Sequence, residues 1–134
     1  MGFVIDSNVI IAAERSRSGL ELLLGDALDS ECFLSVITVS ELLHGIARAA
    51  SVTQLRRRLQ FLEPILDRFE ILPIDEATAR LHATLWADLL STGTMIGIHD
   101  LWIAASCLRY GHALVSDNRR EFARISALEI RTLS

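Results

Sequence analysis

His99-Asp100-Leu101-Trp102-Ile103-Ala104-Ala105-Ser106-Cys107-Leu108-Arg109-Tyr110-Gly111-His112-Ala113-Leu114-Val115-Ser116-Asp117-Asn118-Arg119-Arg120-Glu121-Phe122 is the stretch that decides the fold of this chain. Its first acid stands directly ahead of a largely apolar run. An ordinary amphipathic helix would turn that acid to the wet side. Ile103, Ala104, Cys107 and Leu108 follow Asp100 by three, four, seven and eight residues, so the carboxylate shares their apolar face. Gly111 ends the helix as a residue free to turn left-handed. Ala113-Leu114-Val115 then reads as a short buried strand that runs into Ser116-Asp117-Asn118. A helix opens on one acid and the strand after it closes on another.

Working outward, Phe3-Val4-Ile5 is a strand ending at Asp6, and Ser7 caps a helix reaching Ala13. Leu20, Leu23, Leu24 and Leu28 predict a helix over Gly19 to Leu28. Cys32-Phe33-Leu34 is the second strand. Thr38 to Ala49 is the next helix, with Thr38 and Glu41 spaced as a capping box. Ser51 to Phe69 carries Leu55, Leu59, Leu62, Leu66 and Phe69 as a narrow helical seam, kinked or interrupted near Pro64. That seam is read first as core and second as a partner surface. Glu70-Ile71-Leu72 is the third strand, Asp75 caps a helix to about Ser91 ahead of Gly93, and Glu129-Ile130-Arg131 adds an edge strand. Short apolar strands alternating with longer helices predict an α/β domain with a mainly parallel sheet.

A chain of 134 residues suits one domain, 1–134, large enough for a real core. With 51% hydrophobic and 22% charged residues, it is not a disordered chain. Met1 to Arg15 is interrupted by Asp6 and has no basic leader, so it reads as neither signal peptide nor membrane span. Cys32 and Cys107 lie in apolar segments and read as reduced thiols in a cytosolic core. The net charge of −4 argues against a broad basic face for nucleic acid. It leaves room for a nuclease whose acidic site holds metal ions. All 13 basic residues are arginine, which excludes any mechanism needing a catalytic lysine.

Ligands of such a sheet bind at the carboxyl ends of the strands, at a topological switch point. Asp6 and Asp117-Asn118 lie at strand ends. Crossover helices run antiparallel to the strands, so the first turns that hold Glu41 and Asp100 are expected at the same edge. Clustered carboxylates raise one another's pKa unless a cation joins them. Oxygen-only ligands suit Mg²⁺ or Mn²⁺, which orient and acidify a water and stabilise charge on a phosphoryl group. Metal-dependent hydrolysis of a phosphodiester is the chemistry this set suits.

Plainer readings stand beside these. Asp6 is a turn residue or a functional one, and function is favoured because Ser7 is better placed to cap. Glu41 completes the capping box or serves the site. Asp100 favours the helix dipole or binds, and its apolar-face position favours binding. Asp117 and Glu121, taken singly, read as turn and solvated charges. Arg119, Arg120 and Arg124 are candidates to hold RNA phosphates, whereas Arg56, Arg57 and Arg58 read as a solvated helix face. His44, His82, His99 and His112 show no ligand spacing and are read as no zinc site. Trp86 and Trp102 read as core or interface rather than base-stacking platforms.

Four blocks occur in order: Val4-Ile5-Asp6-Ser7-Asn8-Val9-Ile10, Ser40-Glu41-Leu42-Leu43-His44-Gly45, His99-Asp100-Leu101-Trp102-Ile103-Ala104-Ala105, and Ser116-Asp117-Asn118-Arg119-Arg120-Glu121-Phe122. Together they resemble the PIN-domain ribonucleases, in particular the VapC-type toxins of toxin–antitoxin pairs. The resemblance implies a three-layer α/β/α domain, a Mg²⁺- or Mn²⁺-dependent RNA-cleaving site, a homodimer, and a small cognate antitoxin whose tail occupies the active-site groove. It implies Asp6 and Asp100 as metal ligands and Glu41 as the third acid. In the fourth block Ser116 stands for the usual Thr and Asn118 for the metal-side residue, which leaves Asp117 in the variable slot. Period-two alternation points Asp117 away from Ser116 and Asn118, so Glu121 competes with it as the fourth carboxylate, and only one is expected to line the site.

Haloacid-dehalogenase-like phosphatases and response-regulator receivers also place an aspartate after the first strand, but both need a lysine. The alternative kept is a catalytically inactive PIN-like module that binds RNA or serves as a scaffold. The presence of Asp6, Glu41 and Asp100 favours activity, in the cytoplasm and away from membranes.

Overall fold

Val4 and Ile5, neighbours in the chain, belong to two different cores, because successive strand side chains point to opposite faces of a sheet. A computed structural model of the chain describes residues 2–16, 19 and 31–131. The strands are β1 (Phe3–Ile5), β2 (Cys32–Ser35), β3 (Glu70–Leu72), β4 (Ala113–Val115) and β5 (Ile130–Arg131). All pair in parallel, in the order β3-β2-β1-β4-β5. Phe3 aligns with Cys32 on one side and Ala113 on the other. The chain winds from β1 outward to β3, then returns to place β4 on the opposite side of β1. The order therefore reverses between β1 and β4.

Ile5, Leu34 and Val115 face helices α1 (Ser7–Ser16), α2 (Val36–Ala47) and α3 (Val52–Arg68), which contribute Val9, Ile10, Leu42, Ile46, Leu62 and Ile65. Val4, Phe33 and Leu114 face α4 (Glu76–Thr92) and α5 (Ile98–Tyr110), through Leu89, Leu101, Ile103, Ala104 and Cys107. The result is a three-layer α/β/α sandwich. A short α6 (Arg119–Phe122) follows β4 and is pinned by the fully buried Phe122. The expected helix over Gly19 to Leu28 lies, Gly19 apart, outside the described residues. Among the described residues no helix is long and apolar enough to cross a membrane.

Several local readings need correction. Ser35, the last residue of β2, caps α2 by accepting from the Ile37 N–H at 3.1 Å, so the helix starts at Val36. Thr38 is then interior and buried with an unpartnered hydroxyl, and there is no Thr38–Glu41 capping box. Glu41 moves from the first turn to the second. Pro64 does not interrupt α3, which runs through it and is capped by Ser51. The helix tolerates it because Pro64 and Gln60, whose carbonyl it cannot serve, are exposed residues. Leu62 and Phe69 of the seam are buried, and Leu55, Leu59 and Leu66 pack against the same core.

The helices α4 and α5 share one core on the same side of the sheet, and α5 brings Asp100 to the site. Asp75 caps α4 through the Thr78 N–H and hydroxyl, both at 2.8 Å. Its carboxylate also takes Arg109 at 3.0 Å, which ties the start of α4 to the end of α5 and holds the carboxyl well below its ordinary range. Gly93 and Gly111 end the two helices at φ 67° and 72°, the left-handed region that favours glycine.

Candidate active site

Asp6 leaves β1 at the reversal of strand order, and its N–H still donates to the Val115 carbonyl at 2.9 Å. That continued pairing fixes where the side chain goes. Only 3% exposed, its carboxylate accepts from the Ser7 N–H at 2.9 Å and from the Ser116 hydroxyl at 2.7 Å. Because α1 begins at Ser7, Asp6 itself takes the position before the helix, and Ser7 is not the cap the sequence suggests. The Ser116 hydroxyl in turn accepts from the Asn118 N–H at 3.0 Å. The Asn118 amide then donates to Asp100 at 3.4 Å and to Glu121 at 3.2 Å. One run of hydrogen bonds links β1, the end of β4, α5 and α6.

Asp100 is in the first turn of α5, half-buried, as the spacing of its apolar neighbours requires. Glu41 reaches the group from α2. One carboxylate oxygen lies 3.6 Å from Nδ1 of His99, and the other is buried without a hydrogen-bond partner. Alternation separates Ser116, which is buried, from Asp117, which is exposed, while Asn118 is half-buried. Asp117 therefore stands apart from the carboxylates that Asn118 joins, although its charge still reaches Asp6. Arg119 and Arg120 are exposed on α6. Arg124 is engaged elsewhere, donating to the Met95 carbonyl at 2.7 Å ahead of α5. Arg58 is likewise not a free solvated charge, since it donates to the Gly45 carbonyl at 2.6 Å.

The acids feel one another. Burial lifts the Asp6 pKa, and the charge of Asp117 adds to it against the Ser116 and Ser7 hydrogen bonds. Burial and then Asp6 lift Glu41, opposed by His99 and Ser7. Asp100 is pushed up to about 7 by burial first, then by Asp6, Glu121 and Glu41. Asp100 thus senses all three other acids, the signature of one cluster rather than four incidental charges.

His99 is the residue sequence reasoning passed over, because adjacency to Asp100 says nothing about contact with α2. Two of the other three histidines are occupied: His82 stacks on Trp102 with ring centroids 3.6 Å apart, and His112 accepts from the Gly2 N–H and stacks on Phe33, while His44 is exposed. Beside Glu41 and His99 opens a groove of about 790 Å³ between α1, α2 and α3, with Ile10, Leu42, Ile46 and Phe61 among its lining.

Asp6, Asp100, Glu41 and Glu121 offer only oxygens, and one Glu41 oxygen is buried with nothing to satisfy it. That donor set fits a hard divalent cation, whose charge would also relieve the crowding. Among the described residues no three His, Cys, Asp or Glu side chains close into a direct cage.

A family model described as PIN domain matches residues 3–128. Ribonuclease VapC1 of Rickettsia felis is 32% identical over 134 residues, covering 100% of this chain and 98% of its own. Among solved structures, the DNA-bound VapBC of Salmonella typhimurium superposes with a TM-score of 0.87 at 28% identity, over 98% of each chain. VapBC-5 of Mycobacterium tuberculosis, described as a member of the VapBC family of toxin-antitoxin systems, gives 0.75 at 27% identity, over 98% of this chain and 97% of that one. The chain belongs to the PIN-domain family, with the VapC ribonucleases as its relatives.

Proposed function

We propose that residues 1–134 form a single nuclease domain that hydrolyses RNA phosphodiester bonds with Mg²⁺ or Mn²⁺, as the toxin of a toxin–antitoxin pair acting in the cytoplasm. The observation that carries this reading is the gathering of acids at the sheet reversal, where Ser116 and Asn118 join Asp6, Asp100 and Glu121 by hydrogen bonds and Glu41 reaches in from α2. Asp6 and Asp100 would hold the ion, with Glu41 and Glu121 toward its waters. Such an ion, when bound, acidifies a water and stabilises charge on a phosphoryl group. The chain's own residues supply the preorganisation. Ser116 fixes the Asp6 carboxylate, and the Asn118 amide holds Asp100 and Glu121 to one side. Arg119 and Arg120, exposed next to Glu121, are available to RNA phosphates. Asp117 receives no ligand role.

The partners follow the same reading. The apolar-floored groove beside Glu41 is a seat for the tail of a small antitoxin. Trp86 and Leu90 on α4 and Ile98 on α5, each at least half exposed, are the surface offered to a second copy of the chain. The test is incubation of purified protein, free of antitoxin, with single-stranded RNA and Mg²⁺ or Mn²⁺, beside Asp100→Asn. Cleavage by the wild type alone supports the proposal. Equal cleavage by both proteins, or none by the wild type, overturns it.

A further inference from the structure

We infer that His99 is a positioning residue whose imidazole holds the Glu41 carboxylate at the acid cluster, across the sheet edge that separates the two helical layers. The inference rests on the metal-nuclease reading above and deepens it. Asp6, Asp100 and Glu121 are joined by the hydrogen bonds of Ser116 and Asn118. Glu41 is in none of those bonds. It stands on α2, in the layer over Ile5 and Leu34, whereas Asp100 stands on α5 in the opposite layer. Its side chain has three rotatable bonds to be frozen, and the charge of Asp6 pushes against it.

Among the described residues, His99 supplies the polar contact that reaches Glu41 from α5, with Nδ1 3.6 Å from Oε2. His99 and Asp100 are consecutive residues of the first turn of α5, so one rigid element sets the imidazole and the Asp100 carboxylate together. Ser7, next to Asp6, also acts on the Glu41 carboxylate, and the two Glu41 oxygens differ. Oε2 faces the imidazole, and the buried, unpartnered Oε1 is left for an ion's water. A purely stabilising role gains little here, because the His99 side chain is 61% exposed and exposed pairs contribute little to stability.

His99→Leu keeps bulk and removes the donor, while His99→Asn returns an N–H donor near the place of Nδ1. Three readouts separate the possibilities: the Mn²⁺ dissociation constant by calorimetry, the KM for RNA at saturating Mn²⁺, and the Glu41 carboxyl ¹³C signal of metal-free protein. The expected result is Mn²⁺ binding weakened about tenfold in His99→Leu, as for other residues that orient metal ligands. The expected His99→Asn affinity is close to wild type, with the RNA KM unchanged in both. The Glu41 signal is expected to shift or broaden in His99→Leu alone. Unchanged Mn²⁺ affinity and an unchanged Glu41 signal in His99→Leu overturn the inference. So does a raised RNA KM in both variants with metal affinity intact, which makes His99 an RNA contact. A wild type that binds no Mn²⁺, with the Glu41 signal still displaced in His99→Leu, overturns the metal reading and leaves the positioning role standing.

Discussion

Both carboxylate oxygens of Asp6 accept hydrogen bonds, and burial still keeps its pKa above the ordinary range. Ser116 is the residue that makes this tolerable. Its hydroxyl donates to Asp6 and accepts from the Asn118 N–H, so Ser116→Ala strands a buried carboxylate oxygen and loosens the turn. The expected cost is about 1–3 kcal/mol in urea denaturation, with RNA cleavage reduced about 10- to 100-fold. Wild-type stability and rate in that variant would remove Ser116 from the account. At this scale the sequence was informative where a period fixes a face. The helical spacing of Ile103, Ala104 and Cys107 turned Asp100 inward, and strand alternation turned Asp117 outward. It misled where two residues compete for one local job. Ser35 and Thr38 are both good caps, and only the end of β2 decides between them. His99 was invisible because its partner lies on another helix.

The elements carry the acids by ordinary packing. Glu121 and Asn118 depend on a four-residue helix that is too short to be stable alone. Its anchor is Phe122, fully buried in the α4–α5 core. Phe122→Ala is expected to destabilise the fold by about 3–5 kcal/mol and to loosen Asn118 from Asp100, readable by chemical denaturation and by amide exchange at residues 118–122. Gly111→Ala isolates a backbone effect, since a Cβ there meets nothing within 4 Å while φ is 72°. It should cost about 1–2 kcal/mol and leave cleavage at saturating metal unchanged. The ends of α4 and α5 were legible because Asp75, Gly93 and Gly111 act through their own backbone neighbours. Pro64 was not, because whether a helix absorbs a proline depends on whether the orphaned carbonyl has an exposed side to turn to.

The whole molecule is shaped by the reversal of strand order between β1 and β4. Alternating strands and helices pointed to the parallel sheet, and the strand-end rule to acids gathered at one edge. The contacts that link the two layers there required the structure. The cluster also gives the metal-free protein a pH dependence. Asp6, Glu41 and Asp100 all titrate above their ordinary values, Asp100 at about 7. Folding therefore favours their protonated forms, and that contribution is complete at low pH and lost as pH rises toward the folded pKa. The Tm of the metal-free protein is expected to fall between about pH 4 and pH 7, from the ordinary carboxyl range up to the folded value of Asp100. Asp100→Asn should flatten the fall, and Mn²⁺ at the upper end should restore Tm by binding only the folded state. A slope identical in wild type and variant would mean that the crowding has no energetic consequence.

The proposed ion site is tested most directly by Mn²⁺ calorimetry on wild type, Asp6→Asn and Asp100→Asn, each confirmed folded by circular dichroism. The expected result is a binding isotherm for the wild type that is lost or weakened about 10- to 100-fold in both variants. Binding of equal strength in all three proteins would contradict it.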